Sequence, residues 1–338
     1  MKLRNSPALR ILISTTLALA AAASLAARPA RIKLATLAPK GTSFHLILQE
    51  MGAQWKKGPQ DGAALTIFTD GTMGGESDMV RRMRLGQLQA GLLTISGITD
   101  IDNAVSGLQN IPMAFRSLDE AAYVRDKLAP KYEKQIADKG FIVLGWFDSG
   151  WVHAFSREAM RVPEDLKGEK VFVVPGSQTT AEVMRSFGMQ PVILEPTDVL
   201  VSLQTGLITV VPAPPFYALA GQFFQPAPHM LEVNWAPLAG ALLVTKKAFE
   251  EIPPAMQQFM RETGAKACAK ITESARNEMR ESIAAMEKRG LVVQHLDGEL
   301  QQQWVDFAES LQSEFRGKVV PEDEFDAIMK LRAEFRSR

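Results

Sequence analysis

Strand and helix signals alternate at the start of the chain, and this alternation limits the folds available to it. Short apolar runs predict strands over residues 32–36, 64–69 and 92–95. Apolar residues at helical spacing predict helices over residues 42–55 and 76–88. Alternation of this kind is typical of a parallel sheet with crossover helices. The sequence therefore predicts an α/β protein whose ligand site lies beyond the carboxyl ends of the strands.

A second α/β unit follows a predicted long helix over residues 118–138 and a buried strand over 141–146. The turn Asp148-Ser149-Gly150 is expected to break that strand, and a helix of about 35 residues is expected after Pro254. Two units joined by crossing strands predict two lobes with a cleft between them. The expected division is residues 27–150 plus about 236–277 for lobe I, and 151–235 plus about 278–338 for lobe II.

The first 26 residues have the order of a secretory signal peptide. Three basic residues come first, an apolar run follows over residues 11–23, and small residues precede Ala27. A membrane anchor is the alternative, but the run is shorter than the roughly 20 residues that span a bilayer. We therefore expect cleavage near Ala27 and a soluble periplasmic protein.

Charge and motifs exclude several function classes. The 38 basic and 38 acidic residues give no net charge, so a nucleic-acid partner is not expected. The single cysteine, Cys268, forms no internal disulfide, and the four histidines are far apart in sequence. No G-x-S-x-G, H-E-x-x-H or phosphate-binding glycine motif is present. We expect no catalytic residues, no metal and no cofactor, and we expect a monomer that binds a small molecule.

Seven segments, in order along the chain, carry a family resemblance. They are LAPKGT (37–42), GGE (74–76), DSG (148–150), PEDLKGEKV (163–171), FGMQPV (187–192), TDVL (197–200) and LQTGL (203–207). The ordered set resembles the solute-binding proteins of TRAP transporters, of the DctP type. The resemblance implies a two-lobed periplasmic solute-binding protein with hinge strands and a long helix crossing both lobes. It also implies a receptor, not an enzyme, that hands its ligand to a TRAP permease in the membrane.

The chain departs from that family where the family binds carboxylates. The resemblance implies an arginine at the position of Phe172, a second basic residue at Val152, an asparagine near Ala213 and an aspartate at Thr209. Phe172 could face the cleft, or it could be a core residue on a buried strand. Lys40 or Arg116, both in predicted loops, could supply a replacement cation.

The expected site is therefore apolar. An apolar or weakly polar, hydrophobic ligand is favoured because a buried carboxylate without a partner costs several kcal/mol. An exported lipid-shuttle or scaffold protein with a partner other than a permease is the alternative. The predicted ligand-binding residues are Ala38, Pro39, Met73, Ser96, Phe147, Trp151, Phe172, Ala213, Pro214, Phe216, Tyr217 and Trp235.

Overall fold

The computed structural model describes residues 30–338, so the predicted signal peptide lies outside the described residues. Nine strands form one continuous mixed sheet. In chain order they are β1 (Ala30–Thr36), β2 (Ala63–Phe68), β3 (Ala90–Thr94), β4 (Phe141–Ser156), β5 (Lys170–Val173), β6 (Gln190–Ile193), β7 (Val210–Ala213), β8 (His229–Thr245) and β9 (Val292–Gln294).

Twelve α-helices accompany these strands within the same residues. They are α1 (Ser43–Lys56), α2 (Glu76–Arg84), α3 (Ile95–Thr99), α4 (Gly107–Asn110), α5 (Leu118–Asp138), α6 (Gln178–Ser186), α7 (Val199–Thr205), α8 (Pro215–Ala220), α9 (Lys246–Glu250), α10 (Pro254–Glu287), α11 (Gly298–Phe315) and α12 (Glu322–Arg336). Over residues 30–338, none of them is both long and apolar enough to cross a membrane.

The sheet has two parallel halves joined by two long strands. Its order is β2-β1-β3-β8-β4-β7-β5-β6, with β9 beside β8. The first half contains β1, β2 and β3, which are mutually parallel, and the second half contains β5, β6 and β7, which are also parallel. Strands β4 and β8 pair with each other in antiparallel fashion between these halves. The predicted α/β, two-lobed architecture with crossing strands is confirmed.

The predicted break in β4 is wrong, because the strand is continuous over 16 residues. The turn at Asp148-Ser149-Gly150 is instead absorbed as a register shift against β8, with Gly150 at φ +85°. A bulge keeps the strand within the ladder while it bends, and glycine adopts positive φ without strain. Strand β8 is equally long, since it runs over 17 residues from His229 to Thr245.

The long helix α10 lies across the sheet and contacts both halves, as predicted. It packs on β4, on α1 of the first half and on α8, which follows β7. The approach to β4 is close, because a Cβ on Gly264 would lie 2.8 Å from the Leu144 Cβ. On the same helix, Thr263 Oγ1 accepts a 2.8 Å hydrogen bond from the buried Trp55 indole. Burial raises the pKa of the Cys268 thiol to about 12, so this cysteine is an inert core residue.

The C-terminal helix α12 packs against α5. Glu324, which is buried, accepts hydrogen bonds from Lys131 and from the Tyr132 hydroxyl on α5. Arg336 binds Glu120 at 2.6 Å. This packing puts the end of the predicted lobe II beside an element of the predicted lobe I, and the lobe boundaries stay a prediction.

Candidate functional site

A cavity of about 350 Å³ lies between the two halves of the sheet. Its walls come from the carboxyl ends of β1, β3, β5 and β7, from the central parts of β4 and β8, and from α11. Crevices at the carboxyl ends of parallel strands are the usual ligand sites of open α/β sheets. The volume lies within the range of small-molecule sites.

Aromatic rings form much of the cavity wall. On one side Phe44 stacks on Phe216 with ring centroids 4.8 Å apart, and Phe147 meets Phe44 edge to face at 6.2 Å. On another side Trp235 meets Trp304 edge to face at 6.4 Å. Contacts of this kind hold each ring in one orientation. The apolar wall is therefore ordered by its own packing.

Among the lining residues described, Glu76 is the one with an acidic side chain. It begins α2, and its carboxylate accepts hydrogen bonds from the Thr94 N–H (2.7 Å), the Thr94 hydroxyl (2.5 Å) and the Gly97 N–H (3.0 Å). Burial raises the pKa of Glu76, and these hydrogen bonds oppose the rise. Glu76 thus fixes the start of α3 and brings an acidic side chain to the cavity wall.

His153 is a second polar residue of the wall. In the register of β4 against β8, Val152 pairs with Ala236 and Ala154 pairs with Leu231. The four β8 residues 232–235 therefore lie opposite the single β4 residue His153. The bulge leaves the Val233 carbonyl available to a side chain, and His153 Nδ1 binds it at 3.0 Å. Burial lowers the pKa of His153, so the ring is neutral at pH 7.

Within residues 30–338, no lysine or arginine lines the cavity. The tyrosine in the wall adds no charge, because burial raises the pKa of Tyr217 to about 12. A carboxylate ligand would therefore meet one acidic side chain and no cation. Burial of an unpaired carboxylate costs several kcal/mol.

Nine of the twelve predicted binding residues line the cavity, and Phe172 is one of them. The nine are Ala38, Ser96, Phe147, Phe172, Ala213, Pro214, Phe216, Tyr217 and Trp235. The other three lie outside the lining. Trp151 and Met73 pack in or against the main hydrophobic core of the first half, and Pro39 lies in the loop after β1. Ligand contact by the nine remains a prediction.

The two cations suggested as replacements do not reach the cavity. Lys40 is exposed in the loop after β1, where its backbone N–H binds Asp70. Arg116 is exposed just before α5, where its backbone N–H binds Glu120. Thr209 also lies outside the lining, and its hydroxyl contacts residues at the start of β5. The substitution at Thr209 therefore leaves the cavity unchanged.

Sequence reasoning missed other lining residues, among them Glu76, His153, Trp304, Leu311 and Phe315. The last three belong to α11, and their spacing signalled only an amphipathic helix that could pack anywhere. Glu76 was visible as part of the GGE segment, but its carboxylate partners come from β3 and α3. The position of His153 in the wall depends on a bulge in β8, and no local sequence pattern predicted that bulge.

A charged cluster lies where β4 bends behind the cavity. Asp148 is buried, and Arg276 of α10 binds both its carboxylate oxygens, at 3.2 and 2.9 Å. Arg125 lies 3.7 Å away, and the Asp148 N–H donates to the Thr272 hydroxyl at 3.0 Å. The pair with Asp148 raises the pKa of Arg276. The cluster fixes the long helix to the bend, beside the lining residue Ser149.

The two halves also meet along a seam next to the lining residues Glu76 and Pro196. Glu195, which follows β6, packs on Gly75 so closely that a Cβ there would lie 2.1 Å from its Oε2. That oxygen is sealed from solvent and has no hydrogen-bond partner within residues 30–338. Burial, with Asp78 and Asp198 nearby, raises the pKa of Glu195. The seam therefore brings acidic groups of both halves together.

Comparison with known proteins gives consistent results for most of the chain. Residues 34–318 match the model of the family described as bacterial extracellular solute-binding protein, family 7 (DctP). A solute-binding protein of Roseobacter denitrificans is 24% identical over 84% of this chain and 87% of its own.

Solved structures agree in fold at low identity. A TRAP periplasmic solute-binding protein of Shewanella oneidensis, with bound succinate, has a TM-score of 0.83 at 18% identity and covers 90% of this chain and 99% of its own. Its counterpart from Xanthobacter autotrophicus, with bound β-D-galacturonate, has a TM-score of 0.81 at 20% identity, with 89% and 99% covered. Both of those ligands are carboxylic acids.

Proposed function

Because this chain belongs to the DctP family of bacterial extracellular solute-binding proteins, we propose that it is the periplasmic receptor of a TRAP-type uptake system for an apolar or weakly polar ligand. The family is one of binding proteins rather than enzymes. We further propose export by the N-terminal signal peptide and delivery of the ligand to a TRAP permease. Nothing in the fold or the relatives favours the lipid-shuttle or scaffold alternative.

The lining carries the proposal about the ligand. The acids bound to the structural relatives give it no support, because succinate and galacturonate are anions at neutral pH. In this chain, however, an aromatic ring stands where the family resemblance implies an arginine, and Phe172 lines the cavity. The lining also holds Glu76 and, over residues 30–338, no basic side chain except the neutral His153.

The size of the cavity sets the expected affinity. Burial of about 300 Å² of apolar ligand surface gives roughly 7 kcal/mol at 25 cal/mol per Å². The lost freedom of the ligand and the ordering of side chains reduce that gain. Because 7 kcal/mol corresponds to a dissociation constant of about 10 μM, we expect binding weaker than that, between about 10 μM and 1 mM.

Movement of the two lobes gives the proposed route of capture. The bends of β4 and β8 near Gly150 and Trp235 are the proposed hinges, and closure would form the seam between Gly75 and Glu195. Closure around a ligand excludes water from it. Small-angle scattering should show a smaller radius of gyration at saturating ligand, and an unchanged curve would refute closure.

Calorimetry with two matched sets of probes tests the choice of ligand. One set is 1-octanol, octyl methyl ether and octanoate, and the other is 2-naphthol, 2-methoxynaphthalene and 2-naphthoate. We expect at least one neutral probe to bind and the carboxylates, succinate and D-glucuronate to bind much more weakly. Tighter binding of an acid than of its neutral counterpart would refute the proposal.

Two variants of Phe172 test whether this residue selects against carboxylate ligands. Phe172→Arg should raise affinity for the carboxylates, because a guanidinium forms charge-assisted hydrogen bonds with them. Phe172→Leu, which only shortens the apolar side chain, should not. An equal response of both variants would show that Phe172 does not select against acids.

A further inference from the structure

His153 presents a hydrogen-bond acceptor to the cavity. A backbone carbonyl only accepts hydrogen bonds, so the 3.0 Å contact with Val233 requires the proton of the neutral ring to lie on Nδ1. Nε2 is then a bare acceptor. Within residues 30–338 it has no hydrogen-bond partner, and it is not among the polar atoms sealed from solvent. Since His153 as a residue is only 3% exposed and lines the cavity, the remaining exposed surface of Nε2 is assigned to the cavity side.

The surroundings of His153 are otherwise apolar. The nearby core cluster of the second half includes Val171, Leu231, Val233 and Trp304, and each of these also lines the cavity. The charge that acts on the ring is that of Glu232, which is exposed and pairs with His295 at the surface. A hydrogen-bond acceptor in such a wall loses its bound water when a ligand fills the cavity. Leaving that acceptor unpaired reduces the free energy of binding unless the ligand supplies a hydrogen-bond donor.

We infer that the ligand carries a hydrogen-bond donor, such as a hydroxyl group, on an apolar frame, and that this donor binds Nε2 of His153. The inference rests on the proposed function and narrows its ligand class to neutral alcohols or similar donors. A hydrocarbon or an ether would leave Nε2 unpaired. A carboxylate would offer acceptors to an acceptor.

Comparison of alcohol with ether tests this inference. Wild-type protein should bind 1-octanol or 2-naphthol about tenfold more tightly than the methyl ether of the same frame, the upper range for one hydrogen bond. His153→Asn keeps an N–H donor near the Val233 carbonyl, but its amide oxygen is bonded to Cγ and stops short of the position of Nε2, so the preference should vanish. Val171→Ala is the matched control, because it trims the same apolar wall and should weaken both probes alike.

A spectroscopic readout separates ligand contact from a structural role. The Nε2 nitrogen resonance of His153 should differ between the alcohol and ether complexes, because only the alcohol supplies a hydrogen bond in place of the displaced water. Thermal melts of both variants establish that they are folded.

The outcomes distinguish this inference from the proposed function. Equal binding of alcohol and ether by the wild type would overturn the inference and leave an apolar receptor in place. Persistence of the preference in His153→Asn would also overturn it. Tighter binding of the acids than of either neutral probe would overturn the proposed function itself. Absence of binding by every probe would overturn both.

Discussion

Removal of the Arg276 side chain should destabilise the protein more than loss of an ion pair of similar length on the same helix. Asp148 keeps only 5% of its side-chain surface exposed, whereas Arg276 keeps 29%. Arg276→Ala would leave the buried carboxylate with Arg125 at 3.7 Å as its remaining cation. Loss of one partner of a buried pair costs about 3–5 kcal/mol. Because Arg125 remains as a partner, we expect Arg276→Ala to lower the free energy of unfolding by about 3 kcal/mol, the lower end of that range.

The pair formed by Lys270 and Glu50 is the internal control. Lys270 also lies on α10 and binds Glu50 at 2.8 Å, but both side chains are about half exposed. Lys270→Ala should therefore cost less than about 1 kcal/mol. An unfolding entropy of roughly 2.1 cal/mol/K per residue over about 310 residues converts these values to about 5 °C and less than 2 °C in melting temperature.

Differential scanning calorimetry of the two variants at pH 7 measures this difference. The double variant Arg276→Ala/Asp148→Asn should recover part of the loss, because no buried charge is then left unpaired. Equal melting temperatures for Arg276→Ala and Lys270→Ala would refute the reasoning. So would a double variant less stable than Arg276→Ala alone.

Three further predictions concern the seam, the buried histidine and the packing of the long helix. Glu195→Gln should tighten ligand binding at pH 7 and make the affinity less dependent on pH. The reason is that the pKa of Glu195 is raised in the seam, so lobe closure favours the protonated carboxyl group. Weaker binding by the variant would contradict this. The free energy of unfolding of the wild type should fall as pH drops through about 6.5. The pKa of His153 is lowered in the folded protein, so below that pH the unfolded chain binds a proton that the folded protein does not. Denaturant titrations should show a smaller fall for His153→Asn. Gly264→Ala should cost about 1–3 kcal/mol in the same titrations, since the new methyl group would lie 2.8 Å from Leu144. Gly298→Ala, at the exposed start of α11 with open space around it, is the control that shows whether the same substitution has this effect without a close neighbour.

Much of the fold followed from local patterns in the sequence. The helix over Leu118–Asp138 has the predicted bounds, although Pro130 lies inside it, and the first three strands begin within two residues of their predicted starts. The long crossing strands were harder to predict, because the bend at Gly150 looks locally like a strand end. Only pairing with β8, which is distant in sequence, keeps that segment in the sheet.

The site residues also fall into those that local sequence patterns predicted and those that they did not. Lining residues at strand ends, such as Ala38, Ser96 and Ala213, follow from the rule that places ligands at the carboxyl ends of parallel strands. Trp151 was expected there by the same rule but lies in the core, since the side of the sheet that a residue faces depends on register at a bulge. His153 and Trp304 depend on how distant elements pack, which local patterns do not encode.

The path of the chain through the sheet has a consequence for the order of folding. Strand β3 pairs with β8, as in the contact of Ala90 with Val244, and Trp55 on α1 reaches its hydrogen-bond partner Thr263 on α10. The first half of the sheet therefore lacks its neighbouring strand and one of its covering helices until most of the chain has been synthesised. Such contacts between distant segments form slowly. A polypeptide built this way stays incompletely folded during most of its synthesis, a state suited to threading through a membrane channel before its core closes.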